Sequence, residues 1–221
     1  MARSLTQPAF IFDLDGVIVD TAKYHFWAWK RLAEGLGIGF DEEQNEQLKG
    51  VSRVESLNRI LRWGDKTLGA EAFADALDRK NRDYLSYVER MEPDEILPGV
   101  SEFLSHCRTI GIPIALGSAS KNAPLILDRL GLRAQFDAVI DGNSTQRSKP
   151  DPEVFLLGAH ALGASPENCV VFEDAQAGIE AAHRAGMKAV GVGPASELSE
   201  ADLRIPGFRD LLPEALLERL S

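Results

Sequence analysis

The chain has 221 residues, 44% of them hydrophobic and 26% charged, with a formal net charge of −10 at pH 7. That length suits one large domain, or a core domain with a modest insertion, and the composition is that of a globular chain able to bury a substantial core. The acidic balance speaks against nucleic acid as a partner, because proteins that bind polyanions carry a basic face. No run of about 18 apolar residues is present to span a membrane.

Two cysteines, Cys107 and Cys169, sit inside apolar patterns and are expected to be buried free thiols of a reducing compartment. No signal-peptide pattern precedes the first apolar run, so the cytoplasm is the expected location. An acidic protein that handles phosphate must concentrate cations in its site, which singles out Arg53, Lys80, Lys121 and Lys149.

The first element is the stretch Ala9 to Thr21, AFIFDLDGVIVDT. Ala9 to Phe12 is uninterruptedly apolar, as expected of a strand covered on both faces in a parallel sheet. On a continuing extended backbone Asp13 and Asp15 would point the same way, two anions side by side. Such a pair is costly unless a cation lies between them or one carboxyl is protonated and works as an acid. An acidic turn after an edge strand is the alternative reading. The apolar run Val17 to Val19 argues against it, since the aspartates then interrupt a buried region.

Ala22, Phe26, Trp29, Ala33 and Leu36 follow at helical spacing. Residues 41 to 91 are charged and helical in character, with Gly64 and Gly69 marking connections and no convincing strand. A linker, MEPDEILPG, returns to the main domain. From there helix and strand alternate: a helix at Val100 to Cys107, a strand at Pro113 to Leu116, a helix at Leu125 to Leu130, a strand at Ala138 to Ile140. A helix at Glu153 to Leu162, a strand at Cys169 to Phe172, a helix at Ala177 to Ala185 and a last strand at Lys188 to Val192 complete the series. Repeated units of this kind predict an α/β fold, a Rossmann-like parallel sheet core with an inserted helical cap domain. The expected boundaries are 1–20 and 95–221 for the core and 21–94 for the cap.

Ligands of such sheets bind beyond the carboxyl ends of the strands. Asp13 and Asp15 follow the first strand, Gly117 to Lys121 the second, Ser148 to Pro150 the third, and Glu173 with Asp174 the fourth. Four distant loops thereby bring two carboxylate pairs, hydroxyls and two lysines to one edge. Mg²⁺ prefers oxygen ligands and keeps some waters, so Asp13 and Asp174, helped by Glu173 and by the main chain at Asp15, would make a half-shell for it. Glu173 and Asp174 also suit a helix N-terminus, and Ser118 or Ser120 suits either a helix cap or a phosphate ligand. Lys149 reads as a solvated loop lysine or, stiffened by Pro150 and Pro152, as a fixed charge.

The loops DLDGV, SAS, SKPDP and ED resemble, in order, the four motifs of the haloacid dehalogenase superfamily of phosphotransferases, across essentially the whole chain. The segments around Asp20 to Lys30, NEQLKGVSR, Arg79 to Asn81 and GSASKNAP are similar to the β-phosphoglucomutase branch of that superfamily. The resemblance implies dependence on Mg²⁺, a sugar phosphate substrate, β-glucose 1,6-bisphosphate as intermediate and activator, and a monomer. It implies Asp13 as nucleophile, Asp15 as general acid and base, and Ser118 and Lys149 as holders of the transferring phosphoryl group. It implies Asp13, Asp15, Glu173 and Asp174 as metal residues. Substrate would be bound by His25, Gly50, Val51, Ser52, Arg53, Lys80, Ser118, Ala119, Ser120, Lys121 and Asn122, with Arg53 taking the second phosphate through its planar fork. A structural histidine and a solvated lysine are the alternatives for His25 and Lys80. The loop Asp141 to Arg147 and the tail from Pro194 depart from the family pattern. Because one chassis supports several phosphoryl transfers, a sugar-phosphate phosphatase and a non-enzymatic phospho-receiver are the competing expectations.

Overall fold

A computed structural model describes residues 7–49, 51–194 and 198–220. At its centre six parallel strands run in the order β3-β2-β1-β4-β5-β6. They are β1 (Ala9–Phe12), β2 (Ile114–Gly117), β3 (Ala138–Ile140), β4 (Cys169–Glu173), β5 (Lys188–Val192) and β6 (Leu203–Ile205). Phe12 is flanked by Leu116 on β2 and Phe172 on β4. The strand order reverses at β1, so the chain leaving Phe12 enters the crevice where ligands of open parallel sheets bind.

The apolar run of β1 serves both faces of the sheet. Phe10 and Phe12 point to one side, where they meet Phe103, Phe172 and Phe208. Ile11 points to the other, toward Phe155, Val171 and Ile179. The first face is covered by α5 (Val100–Thr109), α6 (Ala123–Arg129) and α9 (Pro213–Leu220), the second by α7 (Glu153–Ala161) and α8 (Gln176–Arg184). Phe12 and Phe172 stack with centroids 4.4 Å apart, which fixes β1 against β4 directly beneath the site.

Between β1 and α5 the chain makes α1 (Ala22–Gly35), α2 (Glu42–Glu46), α3 (Arg53–Trp63) and α4 (Ala70–Val88). They bury a cluster of their own, including Trp29, Leu32, Leu57 and Ile60. Tyr84 and Val88 at the far end of α4 join the main core. Gly64 closes α3 and Gly69 opens α4, as the sequence spacing suggested. Cys107 and Cys169 are free and buried.

Lys188–Val192 is not the last strand. Beyond it β6 extends the sheet edge and α9 packs Leu216 and Leu220 into the core. β6 is three residues long with an exposed Arg204 at its centre, too short for alternation to declare itself. β2 begins at Ile114, one residue later than expected, because Pro113 has no N–H to give a ladder and supplies only its carbonyl, to Phe10 N.

Candidate active site

The acidic loop is built by the turn and not by a continuing strand. Asp13 N still donates to Phe172 O at 2.9 Å, but from Leu14 the backbone coils, with the N–H groups of Ile18 and Val19 on Leu14 O. Gly16 N donates to Val19 O at 2.8 Å. Gly16 has φ +79, and a Cβ there would lie 2.1 Å from Asp174 Oδ2, so only glycine lets the loop pass beside that carboxylate. The expected extended geometry for Asp13 and Asp15 is thus replaced by a tight loop that brings both to one cavity.

The Thr21 hydroxyl donates to Asp15 Oδ1, and His25 Nε2 stands 3.9 Å from Asp15 Oδ2. Burial, reinforced by the neighbouring charge of Asp13, pushes the Asp15 carboxyl up to about 7. The carboxyl can therefore hold or release a proton near neutrality.

Lys149 has a fully buried side chain whose ammonium bonds Asp13 Oδ1 and, at 2.6 Å, Glu173 Oε1. Burial pulls its pKa down, but Asp13 and then Glu173 outweigh burial and hold it above its ordinary value, so the lysine stays charged. Glu173 Oε2 accepts from Ala175 N at 2.9 Å. Both Glu173 oxygens are engaged, and a Cβ on Gly178 would meet Oε1 at 1.9 Å. Glu173 thus holds Lys149 in place, each of its oxygens accepting one hydrogen bond.

Asp174 faces the cavity, its carboxyl raised well above the usual range by burial and then by the charges of Glu173, Asp13 and Asp15. Lys49, which sequence reasoning did not single out, approaches Asp174 Oδ2 to 3.4 Å and Glu46 to 2.7 Å. Its only signal was its place in LKGVSR. Thr21, wholly buried, was equally inconspicuous.

Among the described residues no group of three or more His, Cys, Asp or Glu side chains forms a closed metal set. The donors nonetheless fit a hard divalent cation. Asp13, Asp15 and Asp174 crowd three carboxyl groups together, only partly offset by Lys149 and Lys49, all offering oxygen, and a half-shell completed by water and substrate is the habit of Mg²⁺.

Ser118 is 1% exposed, and its Oγ accepts from Ser120 N at 3.1 Å. Ser120 Oγ accepts from Asn122 N at 3.2 Å. Asn122 is the N-cap of α6 and its own side chain makes no cap bond, while the two serine hydroxyls accept from N–H groups of the loop leading into that helix. Asn122 Nδ2 donates instead to Asn81 Oδ1 on α4 at 3.0 Å, tying the loop to the insertion.

From the insertion Ser52 caps α3 by accepting from Glu55 N at 3.3 Å, which leaves Arg53 at the first position of that helix. Lys80 Nζ and His25 Nδ1 are 2.7 Å apart, and Lys80 Nζ lies 4.7 Å from the ring centroids of Trp29 and Tyr84. Burial and then Arg53 hold Lys80 well below the ordinary lysine range, while burial, Lys80 and Arg53 depress His25. Lys80 is buried, while His25 is partly exposed to the cavity.

A cavity of about 420 Å³ joins these groups. Asp13, Asp15, His25, Val51, Ser52, Arg53, Lys80, Ser118, Ala119, Ser120, Lys121, Asn122, Lys149 and Asp174 line it. Glu173 stands behind that wall, and Gly50 lies outside the described residues. One end carries the carboxylates with Ser118 and Lys149, and the insertion supplies Arg53, Lys80 and His25.

Residues 8–186 match the family model of haloacid dehalogenase-like hydrolases. The chain belongs to that family. It is 46% identical over 213 residues to a β-phosphoglucomutase of Bacillus subtilis strain 168, covering 95% of this chain and 94% of that one. The crystal structure of a β-phosphoglucomutase from Clostridium difficile superposes with a TM-score of 0.94 at 42% identity, covering 97% of each chain. A fructose-1-phosphate phosphatase of Escherichia coli K12 is 36% identical over 184 residues, 82% of this chain and 94% of that one. Membership of the haloacid dehalogenase family implies a divalent metal, for which the oxygen donors above are suited. No described helix is long and apolar enough to cross a membrane.

Proposed function

We propose that the protein is an isomerase that interconverts β-D-glucose 1-phosphate and glucose 6-phosphate, through an aspartyl phosphate on Asp13 and a β-glucose 1,6-bisphosphate intermediate that is also its activator. The observation that carries this reading is a cavity with cations at two places: Lys149 beside Asp13, and Arg53 from the insertion. A mutase must hold a sugar with a phosphate at each end, whereas a phosphatase needs only water at the phosphoenzyme. The near full-length likeness to two β-phosphoglucomutases supports the same choice.

In this mechanism the free oxygen of Asp13 attacks phosphorus and the bond from phosphorus to the sugar oxygen breaks. Asp15 gives its proton to the departing oxygen and, in the reverse sense, takes one from the attacking hydroxyl; a carboxyl that titrates at about 7 is suited to both duties. Lys149 and Ser118 neutralise and orient the phosphoryl oxygens, while Glu173 keeps Lys149 in place. Asp13 and Asp174, helped by Glu173 and by the main chain near Asp15, would hold Mg²⁺, which would further neutralise the transferring charge. Arg53 takes the second phosphate, and Lys80, His25, the residues from Gly50 to Ser52 and those from Ala119 to Asn122 seat the sugar. Residues 21–94 act as a cap over a core of 1–20 and 95–221, in a cytoplasmic monomer.

Supplied with β-glucose 1-phosphate, Mg²⁺ and a trace of glucose 1,6-bisphosphate, the protein is expected to form glucose 6-phosphate far faster than free phosphate. Stoichiometric release of phosphate and glucose would install the phosphatase reading instead. Arg53→Ala is expected to impair the mutase reaction by roughly 100-fold, the order of one lost charge-assisted clamp. Slow hydrolysis of the phosphoenzyme, which does not use the second phosphate site, is expected to survive that substitution.

A further inference from the structure

Gly142 follows β3 and lies against the loop from Ser118 to Asn122, in the lining of the same cavity. Its φ is not left-handed, so no turn requires glycine there. What requires it is space. A Cβ would stand 2.3 Å from Ala119 O and 3.0 Å from Lys121 Cγ, and the nearer of these is main chain, with no rotamer to retreat to. The Gly142 N–H meanwhile donates to Ser120 O at 3.2 Å, so the residue holds the loop as closely as a backbone can.

Gly142 is itself held. Asp141 is buried, and its carboxylate accepts from Asn143 N at 2.9 Å, Ser144 N at 3.1 Å, Ser144 Oγ at 3.0 Å and Asn143 Nδ2 at 3.0 Å. The Asn143 amide also donates to Lys121 O at 3.3 Å. Three successive carbonyls, those of Ala119, Ser120 and Lys121, are thereby turned toward this one stretch.

The peptide between Ala119 and Ser120 is the link to the chemistry. A trans peptide is planar and sends its oxygen and its N–H to opposite sides. Here the oxygen abuts Gly142, and the N–H donates to Ser118 Oγ at 3.1 Å. Once Oγ accepts that bond its own proton must point elsewhere. Among the described residues that proton reaches no acceptor, and Ser118 lines the cavity with Lys149 and Asp13.

We propose that Gly142 is a positioning residue for phosphoryl transfer, acting through Ser118: by leaving room for Ala119 O it sets the plane of the Ala119–Ser120 peptide, whose N–H turns the Ser118 hydroxyl proton toward the transferring phosphoryl oxygens. The turn from Asp141 to Ser144 is the frame that keeps Gly142 in place. This proposal rests on the reading of Ser118 as a holder of the transferring group.

The test is Gly142→Ala, whose Cβ must displace Ala119 O. Its kcat for glucose 6-phosphate formation is expected to fall roughly tenfold, as for a small misplacement of a group that meets the reacting phosphate, with KM within about twofold. Asn143→Ala, at an exposed position, releases Lys121 O and one side of the Asp141 turn. It is expected to lower kcat roughly threefold, the order of one neutral hydrogen bond, at an unchanged unfolding midpoint. The deciding measurement is the double variant of Gly142→Ala with Ser118→Ala. Its kcat is expected within about twofold of Ser118→Ala alone, because a hydroxyl that is absent cannot be aimed. Losses that multiply in the double variant, a kcat of Gly142→Ala equal to the parent's, or a loss that lies wholly in KM would each overturn the proposal. If Gly142→Ala does not fold, Asn143→Ala in the same cycle with Ser118→Ala decides by the same criteria. Impaired Ser118→Ala with unaltered Gly142→Ala removes only the role of Gly142, and a fully active Ser118→Ala removes the underlying reading with it. Free phosphate formed by the parent in place of glucose 6-phosphate would change the product assigned and be assayed in the same cycle, since either product drains the same phosphoenzyme.

Discussion

Lys149 shows how one side chain is both structural and reactive. Its ammonium is shared between two buried carboxylates, Asp13 and Glu173, so removing it strands two anions where one cation stood. Breaking such a buried pair from one side costs about 3–5 kcal/mol. Lys149→Met is therefore expected to lose that order of stability at pH 7 in urea unfolding, and to regain part of it at low pH as the carboxyls protonate; equal losses at pH 4 and pH 7 would count against the pairing. Asp15 has the opposite sign. Its folded pKa of about 7 lies above the ordinary carboxyl value, so the native state binds this proton more tightly and stability falls as pH rises from about 4 through 7. The side chain is 30% exposed to the cavity, which reduces the effect to about 1–2 kcal/mol. In metal-free protein Asp15→Asn should thus be more stable than the parent at pH 8 and lose that advantage near pH 4. An advantage that is the same at both pH values would mean that repulsion among the carboxylates is not its source.

At the scale of elements, what the sequence revealed and what it hid follow from how local each cause is. β1 and β4 were legible because strands buried on both faces must be apolar throughout, and AFIF and CVVF are. The residues after the strands were legible because parallel topology carries every strand's carboxyl end to one edge. β6 was not, since its three residues include a solvent-facing arginine, nor was the partner of Lys49, which is set by where α2 ends relative to Asp174. The engagement of Glu173 by Lys149 and Ala175 was hidden as well, because metal and lysine both suit a carboxylate and the bond depends on a lysine 24 residues away. Gly178 carried an unread clue. Inside a helix alanine is ordinarily better than glycine by about 1 kcal/mol, yet α8 keeps glycine where a Cβ would stand 1.9 Å from Glu173 Oε1. Glu173 cannot retreat without releasing Lys149, so Gly178→Ala is expected to destabilise by about 1–3 kcal/mol, as overpacking does. Thermal unfolding that shows the alanine variant as stable as the parent would show that Glu173 is freer than its bonds imply.

Over the whole molecule, the insertion is joined to the sheet by two chain crossings that run side by side. Leu97 N donates to Ile18 O at 2.9 Å, Val19 bridges Ile96, and the Tyr24 hydroxyl and Lys23 both meet Glu95. Crossings laced in this way act as one pivot, with little freedom to splay separately. Away from the pivot, polar links span the cavity: Asn122 to Asn81, Lys49 to Asp174, and the looser approach of His25 to Asp15. Partly exposed polar links are each worth about 1 kcal/mol or less, far too little to hold the cavity shut against water. On the proposed reading a ligand with a phosphate at each end would add charge-assisted bonds to both sides at once, to Lys149 and Ser118 below and to Arg53 above, and so would favour the closed arrangement by its differential affinity. The expected outcome is hinged closure on binding, which excludes water from the aspartyl phosphate while the sugar is held. Small-angle scattering should accordingly give a smaller radius of gyration with a non-transferable sugar bisphosphate analogue and Mg²⁺ than without them, and Arg53→Ala should blunt the change. A radius that stays constant under saturating ligand would mean that the insertion is a fixed wall, and the exclusion of water would then have to come from the loops alone.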